Sequence, residues 1–152
     1  NLRESGKSLT EALPIFETLI LRLKSLFMVD DLNHLARGGR IPKAVAMVGT
    51  MANIKPLLTV DAEGKLTQLT KVRGKKKAIK SLVDMTLEEM DPAHSHVIVA
   101  YSGSEATAQE VKQLFLEQHV DKVDIRPLSP TIVTHTGSGT LAIFSITKKN
   151  RK

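Results

Sequence analysis

The sequence predicts an α/β fold: a single two-layer sandwich with helices packed on a mixed or antiparallel sheet. Three observations carry this. The chain has 152 residues, 41% hydrophobic and 25% charged, the proportions of one compact core. Apolar residues recur at helical spacing in some segments and as short β-rich runs in others, with no internal repeat. A hairpin signal lies at the centre, with helix and strand signals interleaved around it.

Ser8 with Glu11 three residues on forms a capping box, and Leu13, Phe16, Leu19, Ile20, Leu23 and Phe27 then recur at helical spacing, so the first element is a helix. Pro14 is its weak point, because a proline past the first turn removes a backbone bond; a regular helix beginning at Pro14 itself is the alternative. Phe27, Met28 and Val29 read as a short buried strand, after which Asp30 or Asp31 caps a brief helix through Leu32, Leu35 and Ala36 that Gly38 stops. Residues 43–53 put Ala44, Met47, Val48 and Met51 on one face of a small helix, closed by Lys55-Pro56; that face is core or the wall of a tunnel. Leu57 to Val60, the turn Asp61-Ala62-Glu63-Gly64, and Lys65 to Val72 form a hairpin. After Gly74 the period changes, and Ile79, Leu82, Val83, Thr86, Leu87 and Met90 mark an amphipathic helix that ends before Asp91-Pro92. Val97 to Tyr101 is a strand, Ser104 caps a helix carrying Val111, Leu114 and Phe115, and Val123 to Ile125 is a strand ended by Pro127 and Pro130. The loop from Thr134 to Gly139 leads into a last strand, Leu141 to Ile146.

Composition removes several classes of function. With no cysteine there is no disulfide, thiol nucleophile or Cys-ligated metal, and the natural compartment is read as the cytoplasm. No segment offers the roughly 18 to 20 uninterrupted apolar residues of a membrane span. The opening residue, Asn1, points to a fragment or a trimmed product. The net charge is +6, but Lys71, Arg73, Lys75, Lys76 and Lys77 form one acid-free run and Lys148, Lys149, Arg151 and Lys152 another. Those nine cations exceed the whole excess, so the body of the chain is mildly acidic. A nucleic-acid-binding module built on 71–77 and 148–152 is the alternative reading; against it stand one Tyr, four Phe and no Trp to act as stacking platforms. Phosphate-loop, dinucleotide and Ser-elbow motifs are absent, so the chain is not read as an enzyme. His94 and His96 lack further ligands at metal spacing, no metal or cofactor is expected, and His34 and His119 default to surface or capping roles.

Three features carry candidate chemistry. His135 stands between Thr134 and Thr136 and before Gly137-Ser138-Gly139, where backbone and hydroxyls suit an anionic head group; the same pattern also describes a plain turn. Arg37-Gly38-Gly39-Arg40 places two guanidinium groups on a flexible loop, fit for an anion or for an ion pair such as Arg40 with Asp30 or Asp31. The helix after Gly74 opens with Lys75, Lys76, Lys77 and Lys80 and closes with Glu88 and Glu89, the reverse of what its dipole favours. With Arg73 just before it, this end is an anion-attracting pole, or a row of solvated lysines.

In combination these residues resemble a known family. Val29-Asp30-Asp31-Leu32 with Arg37-Gly38-Gly39-Arg40-Ile41, Asn53-Ile54-Lys55-Pro56-Leu57-Leu58, Lys71-Val72-Arg73 with Lys76-Lys77-Ala78, and Thr134-His135-Thr136-Gly137 with Gly139 resemble, in order, the DegV family of bacterial fatty-acid-binding proteins. The resemblance implies a leading helix over 1–27, a C-terminal lipid-binding domain over 28–147 and a basic tail over 148–152, with the family's N-terminal domain absent. It implies a carrier of a long-chain fatty acid, its carboxyl at the domain junction, presented to the ATP-binding subunit of a fatty acid kinase that makes an acyl phosphate. Carried onto this chain, His135 with Thr134 and Thr136 would bind the carboxyl. Arg73, with Lys75 and Lys76, would face the kinase, and Arg40 would hold the loop or head group. The weakest assignment is a tunnel wall of Ala44, Met47, Val48 and Met51. Pro14 and Ser138 depart from the family's pattern. A hydrolase or transferase using His135 as base is a further alternative.

Overall fold

The computed structural model describes residues 2, 4–43 and 53–151. Among these residues five α-helices and six strands follow in the order α1 (Leu9–Arg22), β1 (Leu23–Met28), α2 (Leu32–Arg37), β2 (Ile54–Val60), β3 (Leu66–Arg73), α3 (Lys75–Glu89), β4 (His96–Tyr101), α4 (Ala106–Glu117), β5 (Lys122–Pro127), α5 (Pro130–Thr136) and β6 (Leu141–Ile146), with one 3-10 turn, Pro92–His94, before β4. The strands form one mixed sheet, ordered β3-β2-β1-β6-β4-β5. All neighbouring pairs are antiparallel except β4 and β5.

Successive side chains of a strand face opposite sides, and here both sides are apolar. Leu26, Met28, Leu57, Val97, Val99, Leu141 and Ile143 face a core closed by Ala78, Ile79, Leu82 and Val83 of α3 and Ala108, Val111 and Phe115 of α4. Phe27, Leu58, Ala100 and Ala142 face the other way and meet Leu32 and Leu35 of α2, which seal a smaller cluster. Only β3, at the edge, is largely exposed, and it bulges at Leu69, since Leu57 pairs with Thr70 and Leu58 with Gln68.

The expected mixed α/β sandwich is therefore present, with differences in its elements. The capping box at Ser8 forms, with the Glu11 carboxylate accepting from the Ser8 amide at 2.9 Å. The helix runs unbroken from Leu9 through Pro14 and stops at Arg22, not Phe27. Leu23 to Met28 is strand because all six residues find partners on β6. Asp31, not Asp30, caps α2 by accepting from the Asn33 amide. Ser104 accepts from the Ala106 amide, although the cap position itself falls on Glu105. Thr134-His135-Thr136 is not loop: these residues are the last turn of α5, started by Ser129 as cap and Pro130 at the first position. The basic tail is fastened, since Lys148 bonds back to Glu89 and Arg151 to Leu21 through their amides. The helix expected over 43–53 lies outside the described residues beyond Lys43 and Asn53, and so do Ala44, Met47, Val48 and Met51.

No residue of α1 is buried. Leu9, Leu13, Phe16 and Ile20, spaced four, three and four apart, form an exposed stripe, with Leu9 84% exposed. Among the described residues the helix is tied down at its end, where the Arg22 guanidinium pairs with Asp91 and its Nε donates to the Thr147 carbonyl at 2.6 Å. No helix is long and apolar enough to cross a membrane among the described residues.

Candidate functional site

The pairing fixes where the candidate residues gather. β1, β3, β4 and β5 run one way and β2 and β6 the other, so the ends of the first four meet the starts of the last two at one edge of the sheet. Asp30 follows β1, Arg73 ends β3, Ile54 and Lys55 open β2, and Gly139 and Thr140 precede β6, all at this end. The register pairs Arg73 with Ile54. Lys148 follows β6 and hence lies at the opposite end. The two basic runs thus form no continuous stripe, which disfavours the nucleic-acid module.

His135 is half-buried near the end of α5. Arg40 reaches it from the loop after α2: Nη2 donates to His135 Nε2 at 3.0 Å, while Nη1 donates to the Gly38 carbonyl at 2.8 Å. A guanidinium only donates, so Nε2 accepts, and the neutral ring carries its proton on Nδ1. That nitrogen faces Gly38, where an added Cβ would stand 3.3 Å away, so the absence of a side chain at Gly38 is what keeps this edge of the imidazole uncrowded. Arg40 therefore pairs with neither Asp30 nor Asp31. Lys55 holds Asp30 at 2.8 Å, and Arg37 lies 3.5 Å from Asp31. Slight burial raises Asp31, but the Asn33 amide and Arg37 outweigh it and leave the carboxyl below its usual range.

The flanking threonines are committed within their own helix. Thr134 Oγ1 donates to the Pro130 carbonyl at 2.9 Å and Thr136 Oγ1 to the Ile132 carbonyl at 3.1 Å. His34, expected to take a surface or capping role, instead joins α2 to the site on α5. Its Nε2 lies 2.7 Å from the Thr134 carbonyl, which can only accept, so Nε2 carries the proton and Nδ1 receives Arg37 at 3.4 Å. Each histidine of this corner is thus matched with one arginine of Arg37-Gly38-Gly39-Arg40. The only sequence signal for His34 is its spacing, three residues before Arg37 on one helix face.

Arg73, Lys75 and Lys76 are exposed, and their side chains have no hydrogen bond or ion pair among the described residues. Lys80 differs, being paired with Asp84 at 2.6 Å. Beyond Lys75, at the same end, the Tyr101 hydroxyl donates to Glu105 at 2.8 Å, which raises the phenol above its ordinary pKa and lowers the carboxylate. His94 and His96 are paired singly, with Asp91 and Asp124. No group of three metal-ligating side chains occurs among the described residues.

Over residues 1–148 the chain matches the family described as "Uncharacterised protein, DegV family". The chain belongs to the DegV family. The DegV domain-containing protein YteA of Lactococcus lactis is 65% identical over 152 residues, 99% of this chain and 53% of that protein. This DegV chain thus spans about half the length of the curated relatives it matches. A solved structure described as fatty acid binding of a DegV family protein from Thermus thermophilus is similar with a TM-score of 0.80 and 31% identity, over 96% of this chain and 53% of that one. The fatty acid kinase B3 protein of Streptococcus pneumoniae, solved loaded with linoleic acid, has a TM-score of 0.83 over 97% of this chain and 52% of that one. At 21% identity it shows the same fold alone. The mixed sheet and helices described above are those of DegV structures.

Proposed function

We propose that this DegV domain supplies the head-group half of a fatty-acid site: His135 Nδ1–H meets the carboxylate of a long-chain fatty acid, and Arg40 fixes the ring. The observation that carries this is the arginine-to-imidazole bond, which leaves a single, oriented donor beside Gly38. The fatty-acid binding described for the Thermus thermophilus relative supports it. Thr134 and Thr136 contribute by turning their hydroxyls away from the helix carbonyls they now serve. The rest of a full-length chain covers the exposed stripe of α1 and completes the carboxyl site from the other side. The acyl chain supplies most of the affinity, since about fifteen methylenes at roughly 0.8 kcal/mol each give on the order of 12 kcal/mol gross. The domain does not itself react. It presents the carboxyl to the ATP-binding subunit of a fatty acid kinase, in the cytoplasm, with Arg73, Lys75 and Lys76 as the meeting surface. The boundaries that go with this function are the leading segment up to Arg22, the domain from Leu23 to Thr147 and the basic end over 148–152; a boundary at 27/28 would split β1, whose Leu26 and Phe27 are core.

A titration with a fluorescent fatty acid tests the reading on this domain alone and on a chain of full family length. Weak binding by the first and tight binding by the second are expected. Equal affinity would mean that the carboxyl site lies wholly within these residues or elsewhere, and no binding by either would remove the function. In the longer chain, Arg73→Ala should leave affinity within about twofold while slowing kinase-coupled turnover, because an exposed cation at a meeting surface acts on encounter more than on hold. Raised salt should reproduce the defect, since exposed charges are screened beyond about 10 Å at 0.1 M. A fall in affinity matching the fall in turnover would move Arg73 into the ligand site.

A further inference from the structure

At the same end of the sheet a separate polar recess of about 420 Å3 opens between the β4–α4 loop, the α5–β6 loop and the start of α3. Its floor is Ser102, which is buried. The Ser102 hydroxyl donates to the Gly137 carbonyl at 2.7 Å and accepts from the Thr140 amide at 3.0 Å. The Ser102 amide donates to the Thr140 carbonyl at 2.9 Å, and the Gly139 amide to the Ser102 carbonyl at 3.0 Å. These four bonds lace the two loops together. Gly103 lets them close further, for a Cβ there would stand 2.8 Å from Ser138 Oγ.

The side chains lining the recess above this floor offer more donors than acceptors, with Asp30 the one carboxylate among them. Lys75, Thr107 and Ser138 line the recess, and their side chains have no hydrogen bond or ion pair among the described residues. The Ser104 hydroxyl accepts from the Ala106 amide and keeps its own proton to give. Asp30 holds Lys55 through Oδ1, and its Oδ2, beside Gly139, takes no hydrogen bond among the described residues. The neighbouring Glu105 takes Tyr101 on one oxygen and Gln109 on the other. A cation and three hydroxyls around one small volume are complementary to a group that only accepts and has several oxygens to offer.

We infer that this recess is a binding site for a phosphate group, held by Lys75 with the hydroxyls of Ser104, Thr107 and Ser138. A carboxylate, with two oxygens in one plane, satisfies fewer of these donors than a tetrahedral phosphate. The group belongs either to free phosphate or to a phosphate monoester. This site depends on the donors of the recess and not on His135, so it stands or falls separately from fatty-acid binding.

Phosphorus NMR titrations of the domain at low ionic strength, with inorganic phosphate, glycerol phosphate and, as competitor, acetate, test it. Saturable binding of phosphate is expected, weakened about tenfold by Lys75→Gln and several-fold by Ser138→Ala. Lys77→Gln, a neighbour on the same helix that does not line the recess, should change it less than twofold. Glycerol phosphate binding as well as phosphate assigns the site to monoesters, and exclusion of glycerol phosphate assigns it to free phosphate. The inference is overturned if no phosphate binding saturates, if Lys77→Gln weakens it as much as Lys75→Gln, or if acetate displaces phosphate at equal concentration. Binding that Lys75→Gln and Ser138→Ala both leave intact would overturn it too.

Discussion

Replacing Gly139 by alanine is expected to cost about 2 to 5 kcal/mol of folding stability. The residue has φ +82°, a conformation that costs a side chain on the order of 1 to 2 kcal/mol. The added Cβ would also stand 2.0 Å from Asp30 Oδ2 and 2.6 Å from its Cγ. Asp30 cannot give way freely, since Lys55 holds its other oxygen at 2.8 Å, so overpacking adds roughly 1 to 3 kcal/mol. Against a total of about 5 to 15 kcal/mol this is a large share, and the thermal unfolding midpoint should fall by about 4 to 20 °C. Adding Asp30→Ala should restore part of the loss by removing the carboxylate while the strain at φ +82° stays. If Gly139→Ala unfolds at the wild-type temperature, the close approach of Asp30 to the α5–β6 loop is wrong.

What the sequence reveals of this fold follows the range of the interactions involved. Ser8 and Glu11 act on each other across three residues, and Asp31 acts on Asn33 across two, so both caps are readable locally. The α3 face is readable because Ile79, Leu82 and Val83 all bury on one side of one helix. The end of α1 is different. Leu23 and Phe27 fit helical spacing, yet Leu26, Phe27 and Met28 are buried in succession, and pairing with β6 more than a hundred residues later decides between the two. In α5 the β-branched run Thr131-Ile132-Val133-Thr134 argues against a helix, and the Ser129 cap, Pro130 and the bond from His34 outweigh it. The site divides in the same way. His135 stands out by its neighbours in the chain, whereas Arg40, its partner, is 95 residues away, and His34 acquires its role only when α2 meets α5.

Because Arg40 acts on the ligand only through His135, the two residues should behave as one unit in a chain of full family length. His135→Ala removes one charge-assisted hydrogen bond, so fatty-acid affinity should fall roughly 10- to 150-fold. The loss should be the same for short and long acyl chains, because the tail's contribution is separate and grows with each methylene. Arg40→Ala frees the ring to adopt either tautomer and releases the Gly38 loop, so affinity should fall less than with His135→Ala. The double variant should bind like His135→Ala alone, a coupling that two independent contacts would not give. A fatty-acid methyl ester supplies the control: without a carboxylate to orient, its affinity should be nearly the same in wild type and His135→Ala. Equal losses for acid and ester would mean that His135 shapes the tunnel or the fold and does not hold the head group. Additive losses from Arg40 and His135 would mean that the guanidinium touches the ligand itself, and the tautomer argument built on the 3.0 Å bond would have to be given up.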